Sequence, residues 1–295
     1  MNKPKLYMLC GLSGSGKSSY NFGEGIIKIS SDALRAELYG DENDQAHNSE
    51  IFNELHRRVM KYLKNGNSVI YDATNLNARR RMNFLKTISH IECEKTCIVF
   101  ATPFEECVKR DLQRSRTVGK EVILKQMKQF HMPQYNEGWD DISVVFVEDN
   151  MKISLLQLLL LCFDIPHDTP YHLETIGEHM RMTYNSCLKE NIPEYIKFAA
   201  LFHDIGKLYA KVYYNSKGES TDIAHYYNHE NIGSYLYLTS HQFDTTRLQM
   251  KIIWLIENHM RPYFNGYEKW KLKQNPKWIE ELEILHEYDK KARLT

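Results

Sequence analysis

Two groups of residues in this 295-residue chain have types and spacings suited to chemistry. The first is Gly11-Leu12-Ser13-Gly14-Ser15-Gly16-Lys17-Ser18, which fits the phosphate-loop pattern G-x-x-x-x-G-K-[ST] at every position. Its glycines let the backbone curl, so that the N–H groups of residues such as Ser13 and Ser15 point inward and cradle phosphate oxygens. A helix expected to start at this point adds its positive end. Lys17 has the reach for β- and γ-phosphates, and the Ser18 hydroxyl can hold Mg²⁺. The chemistry implied is binding of a nucleoside triphosphate, with ATP and Mg²⁺ as the expected cofactors.

The second group is centred on His203-Asp204, at the end of the apolar run Phe198 to Phe202. A buried, charged aspartate needs a partner, and a metal ion would satisfy both side chains at once. Histidines gather around this pair. His172 and His179 lie upstream with helical spacing, and His225, His229, His259 and then Asp289 lie downstream. Imidazole nitrogen with carboxylate oxygen suits Mn, Ni, Co, Zn or Fe rather than calcium. Any one of these histidines alone reads as an ordinary hydrogen-bonded residue. The argument lies in the set.

The elements that must position these groups follow from the pattern of apolar residues. Leu6 to Cys10, Ile26 to Ile29, Ser68 to Asp72, Thr96 to Phe100 and Val144 to Val147 read as buried strands. Helical stretches lie between them, giving an α/β domain with a parallel sheet over residues 1–150. Ligands in such sheets bind beyond the carboxyl ends of the strands. Asp32 follows the second strand there, with Arg35 one turn later, and Asp72 closes the third. Ser31 or Asp32 is the expected helix cap. Asp32 could accept a proton from an attacking hydroxyl, Arg35 could hold a phosphate of the acceptor, and Asp72 could belong to the Mg²⁺ shell. A basic helix–turn–helix with Lys109, Arg110, Arg114 and Arg116 stands where a lid would cover the triphosphate. The run Arg79 to Arg81 is a solvated face or a contact to a phosphate backbone. Residues 151–170 read as a junction: an apolar helix from Met151 to Phe163, then a proline-bounded segment. Residues 171–295 read as all helix.

Composition narrows the setting. Lys and Arg number 38, as do Asp and Glu, so net charge gives no support for a nucleic-acid partner and any basic surface must be local. The six cysteines form no C-x-x-C pair and read as reduced thiols of a cytoplasmic protein. The stretch from Leu155 to Phe163 is too short to span a bilayer, so no membrane role is expected.

The first half resembles the phage-type polynucleotide 5′-kinases. The resemblance rests on Asp72-Ala73-Thr74-Asn75 to Arg80, with Asp32-x-x-Arg35 upstream and Arg110-x-x-x-Arg114 downstream. It implies that Lys17 and Ser18 serve ATP and Mg²⁺, with Arg110 near the nucleotide. Asp32 would be the general base on a 5′-hydroxyl, Arg35 would grip the 3′-phosphate of the terminal nucleotide, and Arg114 would be the lid arginine. Ala73 and Gly119 depart from the family pattern. Residues from about Tyr171 onward resemble the HD-domain metal-dependent phosphohydrolases, through Glu178-His179, His203-Asp204-x-Gly206-Lys207 and Asp289. That resemblance implies metal ligation by His179, His203, Asp204 and Asp289, with His229 and His259 where two-metal members carry extra ligands. His172 and Lys207 would contact substrate phosphate.

Together the two halves imply an end-healing kinase–phosphatase acting on RNA or DNA ends, in functional partnership with a ligase. Two alternatives stay open. One is a small-molecule kinase fused to an HD nucleotidase. The other is an ATP-gated nucleic-acid sensor that regulates the HD domain.

Overall fold

The structure, a computed structural model, describes residues 3–114, 116–146, 154–188, 191–240 and 247–292. It divides into two compact units: Met1–Ile123 with Pro133–Val147, and Leu124–Met132 with Glu148–Thr295.

The first unit is built on a parallel five-stranded sheet of β1 (Lys5–Cys10), β2 (Ile27–Ser30), β3 (Val69–Asp72), β4 (Glu94–Ala101) and β5 (Asp141–Phe146), in the order β2-β3-β1-β4-β5. Strands buried on both faces need near-continuous apolar runs, which β1, β3 and β4 supply, while the edge strands β2 and β5 are only partly buried. In the register, Met8 lies opposite both Tyr71 and Cys97, and Ser30 opposite Asp72. The carboxyl ends of β1, β2 and β3 therefore share one edge of the sheet. The helices are α1 (Ser31–Tyr39), α2 (Asn48–Lys64), α3 (Ala78–Thr87), α4 (Phe104–Leu112) and the start of α5 (Lys120–Met127), whose residues from Leu124 on belong to the second unit. Ile51, Leu55, Val59 and Leu63 form one buried stripe along α2.

Three details differ from the sequence reading. No α-helix follows the phosphate loop: a single 3₁₀ turn, Lys17–Ser19, leads into extended chain. Gly23 and Gly25 adopt φ of 83° and 81°, which an α-helix cannot contain. The helix cap after β2 is Ser30, with no side-chain bond, and Asp32 sits inside the first turn of α1. Among the three arginines at the start of α3, Arg79 and Arg80 are exposed but Arg81 is fully buried.

Arg81 cannot reach a phosphate backbone. It makes a two-pronged ion pair with Glu137, at 2.6 and 2.8 Å, and donates to the carbonyls of Asn75 and Leu76 at 2.9 Å. Neither side chain of the pair exceeds 4% exposure. Removing one partner of such a pair strands a buried charge, so Arg81→Ala is expected to cost about 3–5 kcal/mol of stability. Denaturant unfolding checks this. Combining it with Glu137→Ala should recover part of the loss.

The second unit is helical: α6 (Leu155–Cys162), α7 (Ile176–Leu188), α8 (Glu194–Phe202), α9 (Lys207–Ala210), α10 (His229–Ser240), α11 (Arg247–Asn258), α12 (Tyr267–Lys271) and α13 (Pro276–Lys291). One antiparallel hairpin interrupts the helices that the sequence predicts throughout. It consists of β6 (Lys211–Tyr214) and β7 (Ser220–Tyr226), turning through Gly218 at φ 84°. Segment Leu124–Met132 belongs here as well. The Phe130 ring meets Tyr235 edge-on at 4.9 Å, Asn231 donates to the Lys128 carbonyl, and the Met132 N–H donates to Glu257. The apolar junction helix is seen as α6; its expected start at Met151, like the expected end of the last strand at Val147, lies outside the described residues. Among the described residues no helix is long and apolar enough to cross a membrane, and all six cysteines are buried without a disulfide.

Candidate active sites

In the first unit the phosphate loop is clamped from two sides. The Gly11 N–H donates to the Thr74 carbonyl at 3.0 Å, and the Asn75 side chain donates to the Leu9 carbonyl at 2.8 Å. The Asp72-Ala73-Thr74-Asn75 stretch thus braces the loop through its backbone and through Asn75. On the other side α4 packs closely against Gly14. A Cβ there would stand 2.4 Å from the Cys107 carbonyl, and φ is 78°. Only glycine meets both demands.

Lys17 is buried, and its ammonium donates to the carbonyls of Gly11 and Leu12 at 2.9 and 2.6 Å. Burial pushes its pKa down; Asp72 opposes the shift, and the positive charge of Arg114 adds to it. Asp72 is itself buried and paired with Lys28 at 2.9 Å. Ser18 is exposed at the 3₁₀ turn, and Arg110, held by Glu106 at 2.7 Å, lies beside Gly16. These groups gather at the shared carboxyl edge of the sheet. A helix N-terminus does not, because the 3₁₀ turn takes its place.

At the end of β2, Asp32 is more than half exposed and accepts from Arg35 at 2.9 Å. Arg35 is nearly buried and also donates to the Asp44 carbonyl and to Asn48, at 2.8 and 2.7 Å. Three partners fix the guanidinium beside the carboxylate. Sequence reasoning gave Arg116 only a place in the basic lid and gave Asp111 no role. Arg116 approaches Asp32 at 3.5 Å and bonds Glu42 and Asn43, whereas Arg114 is exposed. Asp111 is buried and accepts from the N–H groups of Val118 and Gly119, which holds the turn carrying both arginines.

The second unit brings His179, His203, Asp204, His229, His259 and Asp289 into one buried cluster. They come from α7, the turn after α8, the start of α10, the end of α11, and α13. Their ligand atoms form two trios, each within 4.8 Å: His179, His203 and Asp289, then Asp204, His229 and His259. Asp204 reaches both. Its Oδ1 lies 3.1 Å from His229 and 3.6 Å from His259, and its Oδ2 lies 3.4 Å from His203 and 3.7 Å from His179.

The imidazoles are oriented from behind. Nδ1 donates to a backbone carbonyl in each case: His179 to Ala292, His203 to Ala200, His229 to Tyr226 and His259 to Ile256, at 2.7–3.1 Å. That turns Nε2 inward, the arrangement that prepares histidines for a cation. His229 and His259 face each other Nε2 to Nε2 at 3.1 Å, and the buried His203 Nε2 has no hydrogen-bond partner among the described residues. Burial opposes charge on Asp204 and Asp289, yet Lys207 and the histidines outweigh it and hold both carboxyls well below the usual range. Burial likewise works against His203, but Asp204 and Asp289 raise it to about 10. The cluster thus calls for positive charge at its centre, as a proton or as a metal ion. Its donor set fits a borderline transition ion.

Gly206 makes the packing possible. A Cβ on it would stand 2.0 Å from the His229 carbonyl. Gly206→Ala is therefore expected to push α10 away and to lower the affinity for Mn²⁺ by about 10-fold or more, on the scale of lost supporting contacts. Calorimetric titration with Mn²⁺ would show it.

Beside the cluster, Lys207 donates to Asp204 Oδ2 at 2.7 Å and to His167 Nε2 at 3.2 Å. His172 bonds Glu174 at 2.7 Å, and Glu174 lies 3.3 Å from His179 Nδ1. His172 precedes α7 rather than sharing its face with His179, as the spacing had suggested; a turn brings the rings to 4.6 Å instead. His225 lies on β7, opposite Val212, not on a helix with His229. His167 and Glu174 were missed, and the sequence marked them only by their nearness to His172.

Residues 6–133 match the family model of an AAA domain, and residues 169–293 match that of an HD domain. The chain joins an AAA domain to an HD domain. The phosphate loop belongs to the AAA domain and the histidine–aspartate cluster to the HD domain. Among curated proteins no match was found. Among solved structures, a chain of the Pnkp1/Rnl/Hen1 RNA repair complex is 29% identical over 44% of this chain and 44% of that one, with a TM-score of 0.39. A second structure of a Pnkp1/Rnl/Hen1 complex gives 30% identity over 37% and 40%, with a TM-score of 0.34. A fungal RNA kinase gives 12% identity over 68% and 49%, with a TM-score of 0.39. The chain spans less than half the length of each of these.

Proposed function

We propose that the chain heals broken nucleic-acid ends in the cytoplasm: the AAA domain phosphorylates a 5′-hydroxyl with ATP, and the HD domain removes a 3′-phosphate or 2′,3′-cyclic phosphate. The observation that carries this reading is the Asp32–Arg35 pair, a carboxylate for the acceptor hydroxyl held next to a cation for an acceptor phosphate. A nucleotide at a strand end offers both groups.

In the kinase reaction, Asp32 takes the proton of the 5′-hydroxyl as its oxygen attacks the γ-phosphorus, and ADP leaves. Arg35 orients the acceptor through its 3′-phosphate. Lys17 and the loop N–H groups hold the β- and γ-phosphates, Arg110 and Arg114 meet charge on the transferred group, and Ser18 with Asp72 would hold Mg²⁺.

In the HD domain, His179, His203, Asp204 and Asp289, with His229 and His259, would hold one or two ions such as Mn²⁺, Ni²⁺, Co²⁺, Zn²⁺ or Fe²⁺. An ion held by these residues would lower the pKa of a bound water and polarise the phosphoester. Lys207 and His172 bind the phosphate oxygens, and Glu174 steadies His172. The products, a 5′-phosphate and a 3′-hydroxyl, are what a nucleic-acid ligase joins.

The test uses RNA with a 5′-hydroxyl and a 2′,3′-cyclic phosphate, given ATP, Mg²⁺ and Mn²⁺ or Ni²⁺, with both ends followed. Gain of the 5′-phosphate and loss of the terminal phosphate support the reading. Consumption of free nucleotides with both RNA ends unchanged overturns it.

A further inference from the structure

Between the cluster residue His259 and helix α13 runs a segment, Arg261 to Lys273, whose composition departs from that of the chain. Four of its 13 residues are basic and one is acidic, while the whole chain is balanced. It starts at the HD cluster: the Tyr263 hydroxyl donates to Asp289 Oδ2 at 2.8 Å. It is fastened from within. Trp270 stacks on Trp254 with centroids 6.1 Å apart, and the Arg261 guanidinium lies 5.5 Å from the Trp270 ring. On the outside, Phe264 is 48% exposed and meets no other ring among the described residues. Lys269 and Lys273 are also exposed.

We infer that this segment binds the single-stranded tract leading to the 3′ end of a polynucleotide, so that the HD domain acts on polymer ends in preference to mononucleotides. The inference rests on the reading of the HD domain as an end-processing hydrolase. Three observations select this occupant. Lys271 is paired with Glu268 and with Glu283 of α13, and the remaining basic residues, Arg261, Lys269 and Lys273, give a local positive charge that matches a phosphate backbone. Phe264 offers a ring face, on which any base can stack. The segment is continuous with the cluster through Tyr263, so a strand lying on it would deliver its last phosphate to Asp289 and its neighbours.

The experiment uses the full chain with Mn²⁺ and an RNA octanucleotide that carries a 5′ fluorescent block and a 3′-phosphate. The block keeps the oligonucleotide from serving as a kinase acceptor. KM is measured across salt concentrations for the wild type, for Lys269→Ala with Lys273→Ala, and for Phe264→Ala. An aryl phosphate serves as the short reference substrate. Each lost phosphate contact should flatten the log KM against log salt slope by about 0.7, so the double variant should flatten it by roughly 1.4. Phe264→Ala should raise the octanucleotide KM relative to the aryl phosphate KM by roughly 10-fold. A mere packing defect would not change a salt slope. Hydrolysis of the octanucleotide with slope and KM ratio unchanged overturns the tract alone. Failure of the wild type to hydrolyse the octanucleotide overturns the end-healing reading, and the tract falls with it.

Discussion

Asp204→Asn is expected to lower 3′-phosphate removal by at least about 100-fold, a loss that even supporting groups around a metal can produce. Asp204 belongs to one trio and approaches the other, with Oδ1 3.1 Å from His229 and Oδ2 3.4 Å from His203, so its loss weakens both at once. It also holds the Lys207 ammonium. The amide keeps the shape but not the charge that offsets two pairs of histidines. Mn²⁺ at 100 times its dissociation constant should stabilise the wild type by about 2.7 kcal/mol. The variant should show little of that thermal shift, while 5′ phosphorylation continues at the wild-type rate. Wild-type thermal shift and hydrolysis in the variant would remove Asp204 from the metal site.

The second large effect is expected at the other site. Asp32→Asn should reduce 5′ phosphorylation by about 10²- to 10⁴-fold, the range for loss of a general base. ATP binding should be retained, because Lys17 and the loop are untouched. The distinction is useful: a chain that only senses ATP would be indifferent to this substitution. The asparagine still accepts from Arg35, so the acceptor KM should change far less than kcat. Single-turnover phosphorylation of a 5′-hydroxyl oligonucleotide, with ATP binding measured separately, checks all three statements.

The two sites were legible in the sequence to different depths. The phosphate loop is local, eight consecutive residues with one use, and its strand was plain from Leu6 to Cys10. The six residues of the HD cluster are spread from 179 to 289, yet adjacent His203 and Asp204 fixed a centre around which the rest could be sought. What was lost followed from reading motifs ahead of local chemistry. The helix expected after Lys17 was borrowed from the motif, although Gly23 and Gly25 stood against it. Arg81 looked like Arg79 and Arg80, because nothing near it announces Glu137, 56 residues away. The β6–β7 hairpin had a signal, with Val212, Tyr213 and Tyr214 on one side of Gly218 and Ile223 to Tyr227 on the other, but the surrounding helices hid it. His167 and Glu174 depend on a tertiary turn, which periodicity does not reveal.

The route of the chain has a consequence for how it is made. Leu124–Met132 is synthesised before Pro133–Val147, which completes the sheet, yet it packs with residues that come much later. Phe130 waits for Tyr235, about 105 residues further on, which at about 5–20 residues per second is roughly 5–20 s. During that interval an apolar ring, and a segment tethered to a finished sheet, stand exposed on the ribosome. A pause that slows translation between these points would lengthen the exposure, and a chaperone that binds short apolar segments would find its target there.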